Sequence, residues 1–210
     1  MLFYKIIRFI LRPVIAILFP TKVIHKDNFP KTGKAVVISN HYSTADSLVI
    51  GAKLLKNSIN CVAKKEAFSN KFVGWLFTKL GAISVDRDAP GLQTHKKIMN
   101  VLNNDDILLI FPEGTRNKAG TPELAPLKPG AALYAIKGKA PLVPMLYHHK
   151  HKMFKTNYLI VGKPFTLERF YDKSGPEVKQ EATDILTKSM NDLRIEIDAY
   201  VENKNKGKKS

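Results

Sequence analysis

Short apolar runs alternate with helix-length amphipathic stretches along most of the chain. The apolar runs are rich in Val, Ile, Leu and aromatic residues and are bounded by turn formers, which is typical of β-strands. Strands are predicted at 34–40, 58–64, 82–87, 106–113, 141–147 and 157–165. Helices are predicted at 47–57, 70–80, 91–103, 129–138 and about 176–203. This alternation indicates an α/β fold with a mostly parallel central sheet flanked by helices.

The first 20 residues, MLFYKIIRFILRPVIAILFP, predict an N-terminal amphipathic helix. Their only charges, Lys5, Arg8 and Arg12, fall within about 60° of one another on a helix, which leaves the rest of its surface apolar. A membrane span needs about 20 apolar residues, and the uninterrupted apolar run at 13–20 is too short for that. We therefore predict a membrane-binding helix that lies in the interface, with its cationic face toward the lipid headgroups. The alternative is that this helix packs on the protein's own core.

The length and composition fit one globular domain. With 210 residues, of which 44% are hydrophobic and 25% charged, the chain can bury a sizeable core. We find no repeat and no dividing linker, so we predict the membrane-binding helix at 1–20, one α/β domain at 21–203 and a basic tail at 204–210. The one cysteine, Cys61, excludes an internal disulfide and fits a reducing compartment.

The charge balance is strongly basic. Against 18 Asp and Glu residues stand 34 Lys and Arg residues, which gives a formal net charge of +16. Such a field favours a polyanionic partner: nucleic acid, anionic lipid or a phosphorylated substrate. The charge alone does not choose among them.

The stretch SNHYSTADS at 39–47 carries the first candidate chemistry. It follows a predicted strand, and the carboxyl ends of strands are where open α/β sheets bind ligands. There His41 could serve as a general base, with Asp46 fixing its tautomer and stabilising the imidazolium that forms. The alternative is that Asp46 only caps the next helix and that His41 is a surface residue.

Two further predicted strands end in charged residues, one at Arg87 and one in FPEGTRN at 111–117. Arg87 and Arg116, with Lys64 at the end of another strand, could clamp a phosphate. Gly114 would let the backbone approach a ligand closely. Neither a G-x-S-x-G nucleophile motif nor a phosphate-binding loop is present. A base paired with a carboxylate, beside cationic phosphate sites, suits direct transfer of an acyl group to a hydroxyl of a phosphorylated substrate.

Four stretches resemble, in order, the sequence blocks of the lysophosphatidic acid acyltransferases, a family of glycerolipid acyltransferases. NHYSTAD at 40–46 is similar to the N-H-x-x-x-x-D block, and GAISVDR at 81–87 to the second block. FPEGTRN at 111–117 matches the third block, and APLVPM at 140–145 resembles the fourth. Together the blocks span about half the chain.

The resemblance implies the glycerolipid acyltransferase fold and a role for each matching residue. His41 would be the catalytic base and Asp46 its partner, and Pro144 would shape the acyl or acceptor channel. Lys65 is a rival to Lys64 as the basic phosphate contact. The implied substrate-binding residues are Lys64, Arg87, Glu113, Gly114, Thr115 and Arg116.

The resemblance also implies the reaction. Such enzymes transfer a fatty acyl group from acyl-CoA or acyl carrier protein to lysophosphatidic acid, giving phosphatidic acid, with no metal, no cofactor and no covalent acyl-enzyme. The expected partners are the acyl donor, a lysophospholipid and an anionic membrane surface, without nucleic acid. The expected location is peripheral or monotopic, on the cytoplasmic face of the cell membrane.

Alternatives stay open at this point. The acceptor could be another lysolipid or glycerol 3-phosphate. A basic nucleic-acid-binding protein would explain the charge, but it leaves the His41–Asp46 pair unused and lacks an aromatic stacking platform. The HHKH stretch at 148–151 contains metal-ligand residue types, and we predict a solvated basic loop there and not a metal site.

Overall fold

The computed structural model describes residues 2–54, 59–86 and 91–207. Seven strands are present in this part of the chain: β1 Thr21–Ile24, β2 Ala35–Ser39, β3 Ile59–Lys64, β4 Ala82–Val85, β5 Ile107–Ile110, β6 Leu142–Tyr147 and β7 Asn157–Val161. Six α-helices accompany them: α1 Leu2–Leu18, α2 Ala45–Leu54, α3 Lys71–Lys79, α4 Leu92–Asn103, α5 Gly130–Gly138 and α6 Pro176–Lys206. Short 3₁₀ turns lie at Lys26–Asn28, Lys65–Phe68 and Glu168–Phe170.

The strands form one sheet in the order β1-β7-β6-β2-β5-β3-β4. Strands β2 to β6 run parallel to one another, and β7 pairs with β6 antiparallel. The predicted α/β fold with a mostly parallel sheet is therefore confirmed. Because β2 to β6 run in one direction, their C-terminal ends lie along one side of the sheet, which we call the carboxyl edge.

The observed elements differ from the predicted ones mainly at their ends. Strand β1 was not predicted, because its sequence TKVI is short and half polar. Strands β4 and β5 end two and three residues earlier than predicted, since the residues that follow belong to the loops of the carboxyl edge. Strand β7 ends four residues earlier than predicted and, because it runs antiparallel to β6, ends at the opposite edge. Helix α2 begins at Ala45, so that Asp46 lies in its first turn. Helix α6 continues to Lys206, beyond the predicted end.

Two apolar layers enclose the sheet. On one face, β-strand residues such as Val36 and Ile38 pack against α4, α5 and α6. On the other face, Val37 joins a second cluster with residues of α1 and α2. Neighbouring residues of β2 thus enter opposite layers, as the alternation of side chains along a strand requires. This three-layer packing fixes the strand ends that carry the candidate site.

Helix α1 packs on the domain and also presents apolar residues outward. Ile15 is 7% exposed and belongs to the second core cluster. Phe9, Ile10 and Ile17 are 83%, 57% and 66% exposed. No helix in the described part of the chain is long and apolar enough to cross a membrane. One side of α1 therefore packs on the protein's own core, as the alternative interpretation expected. The membrane-binding role of α1 stays a prediction.

Candidate active site

The loop after β2 is fastened to the end of the neighbouring strand β6. The Asn40 side chain donates a hydrogen bond to the carbonyl of Tyr147 (2.9 Å) and accepts one from the Tyr147 amide (2.8 Å). The Tyr147 hydroxyl in turn donates to the Asp46 carbonyl (2.8 Å). Asn40 is 2% exposed and Tyr147 is fully buried. These bonds hold the whole turn between β2 and α2 against β6.

Within that turn His41 and Asp46 form a buried pair. His41 Nδ1 lies 2.8 Å from Asp46 Oδ2, and the same oxygen accepts the amides of Tyr42 (2.7 Å) and Ser43 (2.8 Å). His41 is 9% exposed and Asp46 is 0% exposed. With Nδ1 directed to the carboxylate, Nε2 is the nitrogen left to take up a proton. The structure therefore brings the predicted pair together, and His41 is not a surface residue.

Asp46 is held in its charged form by its neighbours. Burial alone would raise its pKa, but the close His151 ring and the hydrogen bonds from His41 and the Ser43 amide outweigh burial and lower the pKa to about 2. An ionised carboxylate beside Nδ1 stabilises an imidazolium on His41. The pair thus has the electrostatics of a general base with its charge partner.

The FPEGTRN segment supports His41 from the side of β5. The Phe111 ring stacks on the His41 ring, with centroids 4.0 Å apart and planes inclined by 17°. Glu113 Oε1 accepts the backbone amide of His41 (2.8 Å), and Oε2 accepts that of Ala125 (3.2 Å). Burial raises the pKa of the Glu113 carboxyl, and these two amide bonds counteract it. The contacts of Glu113 are with the backbone, and its predicted substrate-binding role stays a prediction.

A cavity of about 640 Å³ opens beside His41. Ligand pockets generally have volumes of about 300–1,000 Å³. Its apolar lining comes from α1, α2, β3 and α3 and from the 3₁₀ and loop residues between them, and includes Leu11, Ile15, Leu48, Ala52, Val62, Val73, Phe77 and Leu80. His41 forms part of the wall, so the candidate base borders a largely apolar cavity.

Cationic side chains join the lining of this cavity. Lys64, Arg116 and Lys118 line it, and Arg12 does so from α1. Arg116 donates to the Thr44 hydroxyl (3.4 Å). Lys64 and Arg116 thus line the same cavity as His41, and their anion-binding role stays a prediction. Lys118 was missed by the sequence reasoning, although it lies two residues after the matched arginine.

The other predicted site residues differ in where the structure places them. Thr115 lines the cavity. Gly114 has a φ of +68°, and a Cβ there would come 2.7 Å from the side chain of Lys128, so glycine permits this side chain to pass. Pro144 is buried within β6 and does not line the described cavity. Arg87 lies outside the described residues.

His151 is the residue that sequence reasoning misjudged. Its side chain is 2% exposed, and Nδ1 lies 2.9 Å from Asp46 Oδ1. The prediction that HHKH forms a solvated loop is therefore wrong for this histidine. The predicted parallel sheet held a partial signal, since the residues after β6 reach the same carboxyl edge as His41, but only the structure shows that β6 is the neighbour of β2.

Comparison with known sequences identifies the family of the chain. The profile of the Acyltransferase family matches residues 20–148, and the chain belongs to this family. It is 33% identical over 200 residues to a 1-acyl-sn-glycerol-3-phosphate acyltransferase of Bacillus subtilis, covering 93% of this chain and 98% of that protein. It is 28% identical to the enzyme of that name from Saccharomyces cerevisiae, covering 82% of this chain and 60% of that protein.

A solved structure shows the same fold. The 1-acyl-sn-glycerophosphate (LPA) acyltransferase from Thermotoga maritima superposes with a TM-score of 0.62. The match covers 83% of this chain and 72% of that chain at 21% identity. At this identity the likeness concerns the fold alone.

Proposed function

We propose that this protein transfers a fatty acyl group from acyl-CoA or acyl carrier protein to the free hydroxyl of lysophosphatidic acid, giving phosphatidic acid. The observation that carries the proposal is the buried His41–Asp46 pair on the wall of an apolar cavity that also carries cationic side chains. The names of the relatives from Bacillus subtilis and Saccharomyces cerevisiae support the same reaction.

In the proposed mechanism His41 Nε2 removes the proton of the acceptor hydroxyl as its oxygen attacks the thioester carbonyl. A C–O bond forms, the tetrahedral intermediate collapses, and the C–S bond breaks. The thiolate leaves and takes the proton from His41. Asp46 keeps Nδ1 protonated and stabilises the imidazolium in between. No residue of the protein is acylated.

The remaining groups would bind the substrates. Lys64, Arg116 and Lys118 supply cations at the cavity for the phosphate of the acceptor, and guanidinium groups suit the bidentate recognition of phosphate. Arg87, outside the described residues, is proposed to join them. The apolar lining would take a fatty acyl chain, whose burial is favourable in proportion to the apolar area removed from water.

The direct test uses the purified full chain with both thioester donors. Lysophosphatidic acid, glycerol 3-phosphate and a neutral lysolipid serve as acceptors, and both free thiol and acylated lipid are measured. We expect equal amounts of thiol and phosphatidic acid. Thiol release without an acylated lipid would indicate a thioesterase. Salt-sensitive DNA binding without acyl transfer would favour the nucleic-acid alternative.

We further propose that the enzyme is peripheral or monotopic on the cytoplasmic face of the membrane, with the outer face of α1 in the interface. Phe9, Ile10 and Ile17 form this exposed face. Phe154, which is 67% exposed, lies beside the end of α1, since the Phe154 amide donates to the Leu18 carbonyl.

The cationic residues of α1 differ from the prediction in one respect. Arg12 lines the cavity, whereas it was predicted to face the lipid headgroups. The side chains of Lys5 and Arg8 lie outside the described part.

Point substitutions test this better than deletion of the helix, because Ile15 belongs to the core. Phe9→Asn with Ile17→Asn should reduce the affinity for anionic vesicles, measured by co-sedimentation, by about tenfold or more, because two large apolar side chains no longer insert. The thermal midpoint should stay unchanged. The matched control is Ile195→Asn, a residue 70% exposed on α6. Equal pelleting of the double variant and the control would refute the α1 interface.

A further inference from the structure

Two histidines share the buried carboxylate of the candidate active site. His41 Nδ1 contacts Asp46 Oδ2 at 2.8 Å, and His151 Nδ1 lies 2.9 Å from Oδ1. The Ser43 hydroxyl also donates to Oδ1, at 3.2 Å. The proposed mechanism uses only His41, so the second histidine has no assigned task. We propose that His151 is a positioning residue that acts on His41 through Asp46.

The surroundings of His151 support this assignment. The ring lies edge-on to Phe19 (5.5 Å between centroids) and to Tyr147 (4.5 Å). Neither ring nitrogen makes an aligned hydrogen bond with another group in the described part of the chain. A buried ring without such bonds is costly, and the close approach of Nδ1 to the carboxylate is its one compensation there. Hydrogen bonds in unliganded active sites often tighten only when substrate binds.

The place of the ring in the fold explains how it would act. His151 follows β6, whereas His41 follows the adjacent strand β2, and Asn40 binds the backbone of Tyr147 between them. A donor at Oδ1 fixes the rotation of the Asp46 carboxylate and so directs Oδ2 toward His41. Burial acts to raise the pKa of Asp46, yet the two nearby rings, His151 first and His41 next, lower the pKa to about 2.

A metal site is the competing explanation for two histidines on one carboxylate. Among the residues that the structure describes, no group of three or more His, Cys, Asp or Glu side chains could hold a metal ion. The arrangement is therefore assigned to positioning.

The inference rests on the proposed function, and its first test measures turnover. His151→Phe keeps an aromatic ring and removes the donor, so kcat should fall about 10- to 100-fold, the range for a hydrogen bond to a charged group, with both KM values unchanged. His151→Asn places an amide nitrogen near the former Nδ1 and should restore most of the rate. His149→Phe, which changes the neighbouring histidine, is the matched control and should keep the wild-type rate.

A double-variant cycle distinguishes action through Asp46 from simple packing. In the Asp46→Asn background His151→Phe should lower kcat by less than about twofold, because the group it acts on is already altered. Equal losses in both backgrounds, or failure of His151→Asn to restore the rate while the protein stays folded by circular dichroism, would overturn the proposal.

A measurement without turnover separates this inference from the proposed function. In the full chain with ¹⁵N-labelled histidine, Asp46→Asn should move the ring ¹⁵N signals of His41 and His151 together and leave those of His95 unchanged. If the wild type acylates no acceptor, the proposed function fails and this spectrum alone decides the His151–Asp46 contact. An unmoved His151 signal refutes the contact.

Discussion

Replacement of Glu113 by Gln tests whether this carboxylate positions the candidate base or binds substrate. The resemblance to the lysophosphatidic acid acyltransferases implies a substrate contact, whereas the structure shows both carboxylate oxygens accepting backbone amides. Glutamine keeps the shape but offers only one oxygen. Its amide nitrogen must then face either the His41 amide or the Ala125 amide, which is a contact between two donors.

The size of the effect follows from these two bonds. A buried donor left without an acceptor costs about 1–3 kcal/mol. Burial raises the pKa of Glu113, so removal of the charge recovers part of that cost. We expect Glu113→Gln to lower the free energy of unfolding by about 1–2 kcal/mol at pH 7. Because one bond holds the His41 backbone, kcat should fall about tenfold or more, with little change in the acceptor KM.

Urea unfolding and steady-state kinetics measure the two effects in the same preparation. Glu123→Gln, an exposed carboxylate in the same connection between β5 and α5, is the matched control and should change neither. An acceptor KM raised tenfold, with kcat and the unfolding midpoint unchanged, would show that Glu113 acts on the substrate and that the positioning argument is wrong.

Three further substitutions follow from the site. His41→Ala should lower kcat by about 10²–10⁴-fold, measured as acylated lipid per enzyme, since the base is removed. Arg116→Ala should raise the acceptor KM far more than the donor KM, because Arg116 is one of the cationic residues that line the cavity. Asp46→Asn should lower the free energy of unfolding at neutral pH. The variant should then lack the part of the stability that the wild type loses in acid. The wild-type carboxyl has its pKa lowered from 3.8 to about 2. The ionised carboxyl therefore stabilises the fold by about 2 kcal/mol above pH 4, and this contribution is lost as the pH falls toward 2. Urea unfolding at a series of pH values measures the loss.

Each of these outcomes has a clear opposite. Wild-type turnover by His41→Ala would show that the buried pair only holds the turn between β2 and α2. A donor KM raised as much as the acceptor KM by Arg116→Ala would place the guanidinium on a group common to both substrates. Parallel loss of stability in acid by the wild type and Asp46→Asn would show that this carboxyl is not the group whose protonation matters.

The main features of the fold and of the candidate pair were predictable from local patterns. The alternation of apolar runs with amphipathic helices is enough to indicate a parallel sheet, and the strand-end rule then places His41 and Asp46 at its edge. Strand β1 was not predicted because its sequence, TKVI, is too short to show the alternation of apolar and polar residues that marks a strand. The antiparallel pairing of β7 was equally hidden, since no local signal gives the direction of a strand in a sheet.

Contacts between distant parts of the sequence could not be predicted in the same way. Asn40 and Tyr147 are 107 positions apart, yet they exchange two hydrogen bonds. Glu113 accepts the His41 amide across 72 positions. Both depend on which strands are neighbours, and the order of strands is a property of the packed sheet. His151 was judged by its polar neighbours in the sequence for the same reason.

The order of strands also determines which loops of the carboxyl edge can reach His41 and Asp46. Strand β2, which carries His41, lies between β6 and β5. The loop after β5 brings Glu113 to the His41 backbone, and the segment after β6 brings His151 to Asp46. Lys64 ends β3, which is not adjacent to β2, and it lines the cavity. The contacts that support the base thus come from the loops beside β2, although the loop after β5 also brings Arg116 and Lys118 to the cavity. Arg87 follows the edge strand β4, which β5 and β3 separate from β2, so it is expected to bind substrate and not to support His41.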